Sequence, residues 1–203
     1  TTLKGSISVE PFANSGMRDV VVTNPGPGGG SAILKGAFAV NNPVPAIVNV
    51  SLSSGQRGKT YNLLVSGTNF VSGATTLDLG AGIVVHSITI TNPSQLFAYV
   101  TIERNAVPGS RDVIVTNEEP GGGTSVIYGG FTVQNPPPIL SGVKPSVGSL
   151  CESLVLGISG LDFFEGVTSL SLGTGISLKS MAIDSVGTKL TATIAIDLGA
   201  TTG

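Results

Sequence analysis

Short apolar runs, either β-branched or alternating with polar residues, recur along this chain and are separated by Gly, Pro, Asn and Ser. Such runs predict β-strands, and the residues between them predict turns. No segment keeps the 3.6-residue apolar period of an amphipathic helix. The pattern therefore predicts an all-β protein. Its central part carries seven predicted strands: 46–52, 61–67, 75–80, 83–90, 96–103, 111–117 and 126–134.

The same pattern returns at a fixed distance. GMRDVVVTNPGPGGGSAILKGAFAVNNPVPAI (16–47) aligns without a gap with GSRDVIVTNEEPGGGTSVIYGGFTVQNPPPIL (109–140), and 109 − 16 = 93. SGTNFVSGATTLDLGAGI (66–83) aligns with SGLDFFEGVTSLSLGTGI (159–176) at the same offset. Seven strands in a repeat of this length predict tandem immunoglobulin-like β-sandwiches, one complete and two partial.

The phase of the repeat predicts three parts. Residues 46–138 form a complete module, and residues 1–45 supply the last three strands of a partial one, beginning with LKGSISVE (3–10). Residues 139–203 supply the first five strands of a third module, ending with LTATIAID (190–197), where one inserted residue makes the offset 94. A partial sandwich exposes unpaired backbone groups and half of its core, which favours strand addition from another chain.

Several segments of the repeat resemble a known family. They read PAIVNVSLSSG (45–55), LLVSGTNF (63–70) and VIVTNEEPGGGTSVIYGGFTV (113–133), and the third copy has PILSGVKPSVG (138–148) and LGISGLDF (156–163). In these motifs the chain resembles the IPT/TIG group of immunoglobulin-like domains. The resemblance implies an extracellular or surface-attached bacterial module, used in tandem as a spacer, an adhesive stalk or an accessory domain. The motifs specify a core and its turns and identify no active site.

Composition narrows the choice of partner and compartment. Charged residues make up 11% of the 203-residue chain, the net charge is −2, and the 10 Lys and Arg are scattered, so we expect no nucleic-acid partner. No apolar run approaches the ~20 residues of a membrane helix, so we expect no membrane span. A single cysteine excludes an intrachain disulfide. An exported bacterial protein fits this composition, and the expected location is extracellular, at the cell surface.

TNPGPGGG (23–30) has the glycine content of a phosphate-binding loop but not its chemistry. A P-loop needs a Lys after its last glycine, and a dinucleotide fold needs a helix there, whereas AILKGAFAV follows and predicts a strand. The second copy, TNEEPGGG, places Glu118 and Glu119 where an anion would lie. We interpret both segments as turns, with no cofactor.

Catalytic candidates are few. His86 is the only histidine, and its alternating strand, with Lys179 at the repeat position, predicts an outward-facing polar side chain. Cys151 corresponds to Gly58, which predicts a buried or interfacial small residue and not a nucleophile.

The acidic residues predict no calcium or catalytic cluster, since no D-x-D-x-D-G run exists. The Arg18–Asp19 and Arg111–Asp112 pairs precede the β-prone strands VVVTN and VIVTN and suggest gatekeepers against aggregation. We therefore expect no catalytic, cofactor or metal residue and no enzymatic activity. The scattered carboxylates are Asp78, Glu103, Asp162 and Asp197.

The sequence favours a structural protein, a subunit of an extracellular filament or stalk. Copies would join head to tail through their immunoglobulin-like modules by β-strand donation, with residues 1–45 of one chain completing residues 139–203 of the next. The expected partner is thus a second copy. The predicted interface residues are Val20, Val22, Phe38, Val40, Leu156, Phe163, Leu170 and Leu190.

Two alternatives stay open from the sequence. The chain could be an excerpt of a longer repeat protein, in which neighbouring segments complete the partial modules. It could also be an adhesin, or a carbohydrate-binding or spacer module of a larger bacterial surface protein, with a cell-surface or carbohydrate ligand. The absence of Trp and an aromatic content of 5% weaken the carbohydrate-binding reading, because few side chains could stack on sugars.

Overall fold

A computed structural model describes residues 2–10 and 13–201 of the chain. This part contains fourteen β-strands and no helix, which confirms the predicted all-β class. The strands are β1 (Gly16–Asn24), β2 (Gly30–Val40), β3 (Ala46–Val50), β4 (Ser54–Gln56), β5 (Thr60–Thr68), β6 (Thr75–Asp78), β7 (Ile83–Asn92), β8 (Gln95–Ile102), β9 (Gly109–Asn117), β10 (Gly123–Gln134), β11 (Ile139–Lys144), β12 (Ser153–Leu161), β13 (Ile176–Ile183) and β14 (Lys189–Ile196).

The chain divides into two compact units, residues 1–135 and 136–203. In the first unit, strands β3 to β10 form two four-stranded sheets, in the orders β3–β5–β8–β7 and β4–β10–β9–β6. Alternate residues of both sheets share one apolar core, an arrangement consistent with a β-sandwich. Its largest fully buried side chains are Phe70, Phe131, Leu63, Leu79, Leu96, Ile102, Val65, Val100, Val113, Val115 and Val133.

Strands β1 and β2 form a separate antiparallel hairpin in the first unit. They pair from Gly16↔Val40 to Asn24↔Gly30, with a bulge between Arg18 and Val20. The β9–β10 hairpin pairs in the same register, shifted by the repeat length, with its own bulge. The connection between β1 and β2 is the segment 25–29 inside TNPGPGGG, so the interpretation of this stretch as a turn is confirmed.

An aspartate secures the bulge in each hairpin. Asp19 Oδ1 accepts a hydrogen bond from the Gly36 backbone N–H at 2.8 Å, and Asp112 Oδ1 accepts one from Gly129 N–H at the same distance. Gly36 and Gly129 have φ of 56° and 62°, in the left-handed region that glycine enters without strain. The aspartates of the two Arg–Asp pairs thus hold backbone geometry, a role the gatekeeper interpretation did not include.

The second unit contains one four-stranded sheet, in the order β11–β12–β14–β13. This sheet corresponds strand for strand to β3–β5–β8–β7 of the first unit. One face carries a small apolar core of buried residues: Leu156, Ile158, Phe163, Leu190, Ala192 and Ile194.

Three details of the strand prediction were wrong. Residues 3–10 and the segment 168–171 are not strands, so the described residues supply two strands within 1–45 and four within 139–203. The repeat equivalents of these segments, β8 and β6, pair with β5 and β7 and with β9, respectively. The short strand β4 was missed, because SGQ has no β-branched residue and gains its strand form from parallel pairing with β10.

Candidate assembly site

The β1–β2 hairpin carries an apolar face that is open to solvent. Val20, Val22 and Phe38 are 41%, 47% and 39% exposed, and Val40 is half-buried. Alternation along a strand places Val20 and Val22 on one face of β1, and Phe38 and Val40 share a face of β2. We call these four residues the hairpin face.

The repeat gives this face a buried counterpart. The residues 93 positions further along are Val113, Val115, Phe131 and Val133, and each is at most 1% exposed. They fill the core of the first unit from the β9–β10 hairpin. Four side chains of the same residue types in the same register are therefore buried in the β9–β10 hairpin, whereas in the β1–β2 hairpin three of them are exposed and Val40 is half-buried.

The other predicted interface residues lie together in the second unit. Leu156, Phe163 and Leu190 are buried in one cluster, and Leu170 packs against that cluster half-buried. The sequence prediction thus identified one side chain set on the hairpin and one on the sheet of the second unit. Each set is contiguous, and the two lie in different units.

An open apolar groove lies on the sheet of the second unit. Its volume is about 170 Å³, and Gly148, Leu154 and Ile196 are among its lining residues. In the first unit, side chains occupy the position that corresponds to this groove. A Cβ added to Gly55, the repeat equivalent of Gly148, would lie 2.6 Å from Ile102 Cδ1 and 3.0 Å from Phe131 Cζ. According to the repeat, the groove lies at the position that the Phe131 side chain occupies in the first unit.

The flanks of the groove also differ between the units. In the first unit, β4 pairs with β10 and β6 pairs with β9, so the two strands frame the hairpin. The equivalent segments of the second unit, 147–149 and 168–171, have no strand structure. Both segments therefore lack the hairpin pairing that makes their equivalents strands.

His86 and Cys151 are both on the surface. His86 is exposed on β7, as predicted, with its Nε2 2.8 Å from Thr101 Oγ1 and its ring 5.5 Å from that of Tyr99. Cys151 is exposed, so the prediction of a buried residue was wrong; an interfacial role stays a prediction. Its φ of 62° resembles the 73° of Gly58, which places a β-carbon where the first unit has glycine.

Two aspartates, Asp78 and Asp184, accept hydrogen bonds in turns. Asp78 Oδ1 accepts from Gly80 N–H at 2.8 Å. Asp184, which the sequence reading did not single out, accepts from the backbone N–H groups of Lys189 and Thr188 and from the Thr188 hydroxyl. These hydrogen bonds, that of Lys189 first, lower the pKa of Asp184 against a smaller opposing effect of burial. In residues 2–10 and 13–201 no three His, Cys, Asp or Glu side chains are grouped to hold a metal ion.

Arg57 also has a shifted pKa, and no sequence motif indicated it. It is 7% exposed, and its Nη1 donates to Ala106 O at 3.3 Å. Burial lowers the pKa of its guanidinium, and the nearby charge of Arg104 lowers it further. An arginine stays protonated at neutral pH even so. Arg57 therefore ties the loop before β5 to the loop after β8.

A scan against protein-family models finds no model that matches the chain, and a search of the curated proteins finds no match either. The similarity to IPT/TIG domains therefore rests on the quoted motifs and stays a prediction. The described part of the chain contains no helix, and therefore no helix that is long and apolar enough to span a membrane.

Proposed function

We propose that this protein is a non-enzymatic structural subunit of an extracellular bacterial filament or stalk, built from immunoglobulin-like modules that join head to tail. The partner is a second copy of the chain, whose β1–β2 hairpin completes the open sheet of the second unit. One observation carries the proposal. Phe38 is exposed, while the second unit has an open groove beside Gly148 and Ile196, at the position that its repeat equivalent Phe131 occupies in the first unit.

Backbone pairing supports the same arrangement. A hairpin bound over the sheet in the place of β9–β10 would lie between segments 147–149 and 168–171. Segment 147–149 would pair with β2 of the partner, and 168–171 would pair with β1, as β4 and β6 do in the first unit. Main-chain bonds would supply affinity, and the hairpin face would supply specificity, as in other cases of strand addition.

The two surfaces involved are different, and this determines the kind of assembly. A head-to-tail contact between unlike surfaces repeats without limit unless its rotation closes a ring. Each added copy would cover one hairpin face and one groove. The exposed apolar residues of both surfaces, which otherwise favour nonspecific association, would be buried along the filament.

The size of the assembly tests this function. Light scattering and negative-stain electron microscopy of the 203-residue chain should show concentration-dependent linear assemblies. Phe38→Asp should abolish them, because a carboxylate cannot enter an apolar groove without a large desolvation penalty. The matched control is Val21→Asp, on the opposite face of β1, where Val21 is already 54% exposed; this variant should assemble.

The groove offers the reciprocal test. A Cβ at Gly148 would lie 2.7 Å from Ile196 Cδ1 and 3.1 Å from Leu154 Cδ2, both flexible side-chain ends. Gly148→Leu should therefore fill the groove and prevent assembly. Gly142→Leu is the control, since a Cβ at Gly142 meets nothing within 4 Å. A wild-type chain that stays monomeric at all concentrations, or a Gly148→Leu chain that assembles normally, would contradict the proposed function.

A second candidate function has an observation of its own. Phe97 and Tyr99 are 42% and 48% exposed on β8, and the His86 ring lies against Tyr99. The equivalent residues of the second unit are Thr191 and Thr193, so this aromatic strip belongs to the complete module alone. Exposed aromatic faces suit an adhesin or a carbohydrate-binding module. Glycan-array binding that Tyr99→Ala removes and Phe38→Asp preserves would favour this function.

A further inference from the structure

The complete module contains a buried polar contact between its hairpin and the rest of the core. The Asn117 side chain is 2% exposed at the end of β9. Its Oδ1 accepts from Thr75 Oγ1 at 2.5 Å, and its Nδ2 donates to Pro43 O at 2.8 Å and to Asn69 O at 2.7 Å. Three of the amide's hydrogen-bonding positions are thus satisfied inside the module.

The three residues that hydrogen-bond to the Asn117 side chain have repeat equivalents in the second unit. At an offset of 93, Pro43, Asn69 and Thr75 correspond to Pro136, Asp162 and Thr168. We call Pro136, Asp162 and Thr168 the amide socket.

The backbone of the amide socket has the geometry of its counterpart. Thr168 Oγ1 accepts from Phe164 N–H at 2.8 Å, as Thr75 Oγ1 accepts from Val71 N–H at 2.7 Å. The backbone N–H of Thr168 also donates to the Phe164 carbonyl at 2.9 Å, and that of Thr75 donates to the Val71 carbonyl at 2.9 Å. Asp162 has φ of 60°, close to the 62° of Asn69. The two prolines differ in burial, since Pro136 is buried and Pro43 is exposed.

The amide that would enter this socket is Asn24. It lies 93 residues before Asn117, ends β1 as Asn117 ends β9, and is exposed. We propose that Asn24 of a second copy binds in the amide socket of the second unit, with its Oδ1 accepting from Thr168 Oγ1 and its Nδ2 donating to the Pro136 and Asp162 carbonyls. This inference rests on the proposed function, because it requires the partner's hairpin to bind at this sheet.

The function of this contact is to fix register. A strand that slips by two residues keeps its apolar face, so Val20 and Val22 alone specify the register weakly. A two-residue slip would place Val22 in the amide socket and bury Asn24 elsewhere without its partners. A buried polar group without partners is costly, so a single amide rejects the slipped arrangements. One polar residue that selects register in an apolar seam is a known device of coiled coils.

The test is the concentration at which half of the chain is assembled, measured by light scattering. Asn24→Ala and Asn24→Asp should raise it ~10- to 100-fold, since buried hydrogen bonds are lost and a carboxylate cannot donate to two carbonyls. Thr168→Val should raise it similarly, and Thr168→Ser, which keeps the hydroxyl, should restore assembly. Because Asn24 and Thr168 would contact each other, the double variant should be weaker than wild type by much less than the product of the single effects.

Folding is controlled separately. Asn24 is exposed in the single chain, so its variants should unfold at the wild-type denaturant concentration; Thr168→Val is compared with Thr168→Ser by the same measurement. If Phe38→Asp abolishes assembly while Asn24→Ala changes the midpoint less than twofold, the amide socket is refuted and the proposed function stands. Multiplicative effects of Asn24→Ala and Thr168→Val would also refute it. A wild-type chain that never assembles refutes both.

Discussion

The hairpins β1–β2 and β9–β10 have nearly the same sequence, the same register and the same aspartate-secured bulge, yet they differ in burial. Val113 and Phe131 have no exposed surface, whereas Val20 and Phe38 are about two-fifths exposed. The difference is the facing sheet: β9–β10 packs on a shared core with β5 and β8, and the β1–β2 hairpin forms a two-stranded sheet alone. Local sequence determines the hairpin, and a tertiary partner determines what the hairpin buries.

The equivalent sheets of the two units also differ in how completely their apolar residues are buried. Leu79 and Ile102 are fully buried in the first unit, and their equivalents Leu172 and Ile196 in the second unit are half-buried. Leu156 and Leu190, by contrast, are buried like their equivalents Leu63 and Leu96 in the first unit. The apolar face of the sheet in the second unit is thus less completely buried than that of the equivalent sheet in the first unit.

The largest predicted contrast concerns the two phenylalanines. Phe131→Ala should destabilise the first unit by about 3–5 kcal/mol, because it leaves a cavity in a closed core. Phe38→Ala should change the stability of the dispersed chain by less than about 1 kcal/mol, since little core contact is lost. Denaturant unfolding at a concentration below assembly measures both values. Equal effects would show that β1–β2 already packs as β9–β10 does.

The two asparagines should repeat this contrast at a smaller scale. Asn117→Ala removes three buried hydrogen bonds and should lower the unfolding free energy of the first unit by roughly 1–3 kcal/mol. Asn24→Ala should leave the unfolding of the dispersed chain unchanged. A matching loss for Asn24 in the dispersed chain would mean that its side chain is already bound within one molecule.

Cys151 provides a smaller comparison, with Gly58. Its left-handed backbone strains a residue that has a β-carbon, and glycine relieves this strain at some cost in unfolded-state entropy. We expect Cys151→Gly to stabilise the second unit by about 1 kcal/mol or less, measured as a rise in its melting temperature. The control Cys151→Ala keeps the β-carbon and should give no rise.

The smallest expected effect is a pH dependence of stability that the turn before β14 should have and the turn before β8 should not. The first is closed by neutral Asn92, which accepts from Ser94 N–H, and the second by Asp184. Because the pKa of Asp184 is lower in the folded state, its contribution is complete above about pH 5. It is lost as the pH falls below the ordinary value of 3.8 and through the folded-state pKa. Asp184→Asn should therefore melt below wild type at pH 6, and the difference should shrink by pH 2. A difference independent of pH would contradict this.

The 93-residue repeat was enough to predict most strands, because each has alternating apolar residues such as those of β5 and β8. It failed where a strand depends on its neighbour. LKGSISVE (3–10) matches the pattern of β8 but is not a strand, and β4 is a strand without the pattern. The hairpin face could be predicted from alternation. The amide socket could not, since Asn24 and Thr168 are far apart in sequence and only the contacts of Asn117 reveal their correspondence.

A mixing experiment tests the central claim, that the hairpin of one copy binds the sheet of another, most directly. A Phe38→Asp chain keeps its groove, and a Gly148→Leu chain keeps its hairpin face. Each alone should remain a monomer of 20.3 kDa. Sedimentation velocity of an equimolar mixture should then show a heterodimer of twice that mass and nothing larger, because only one productive contact remains. A mixture that contains monomers alone would contradict the account.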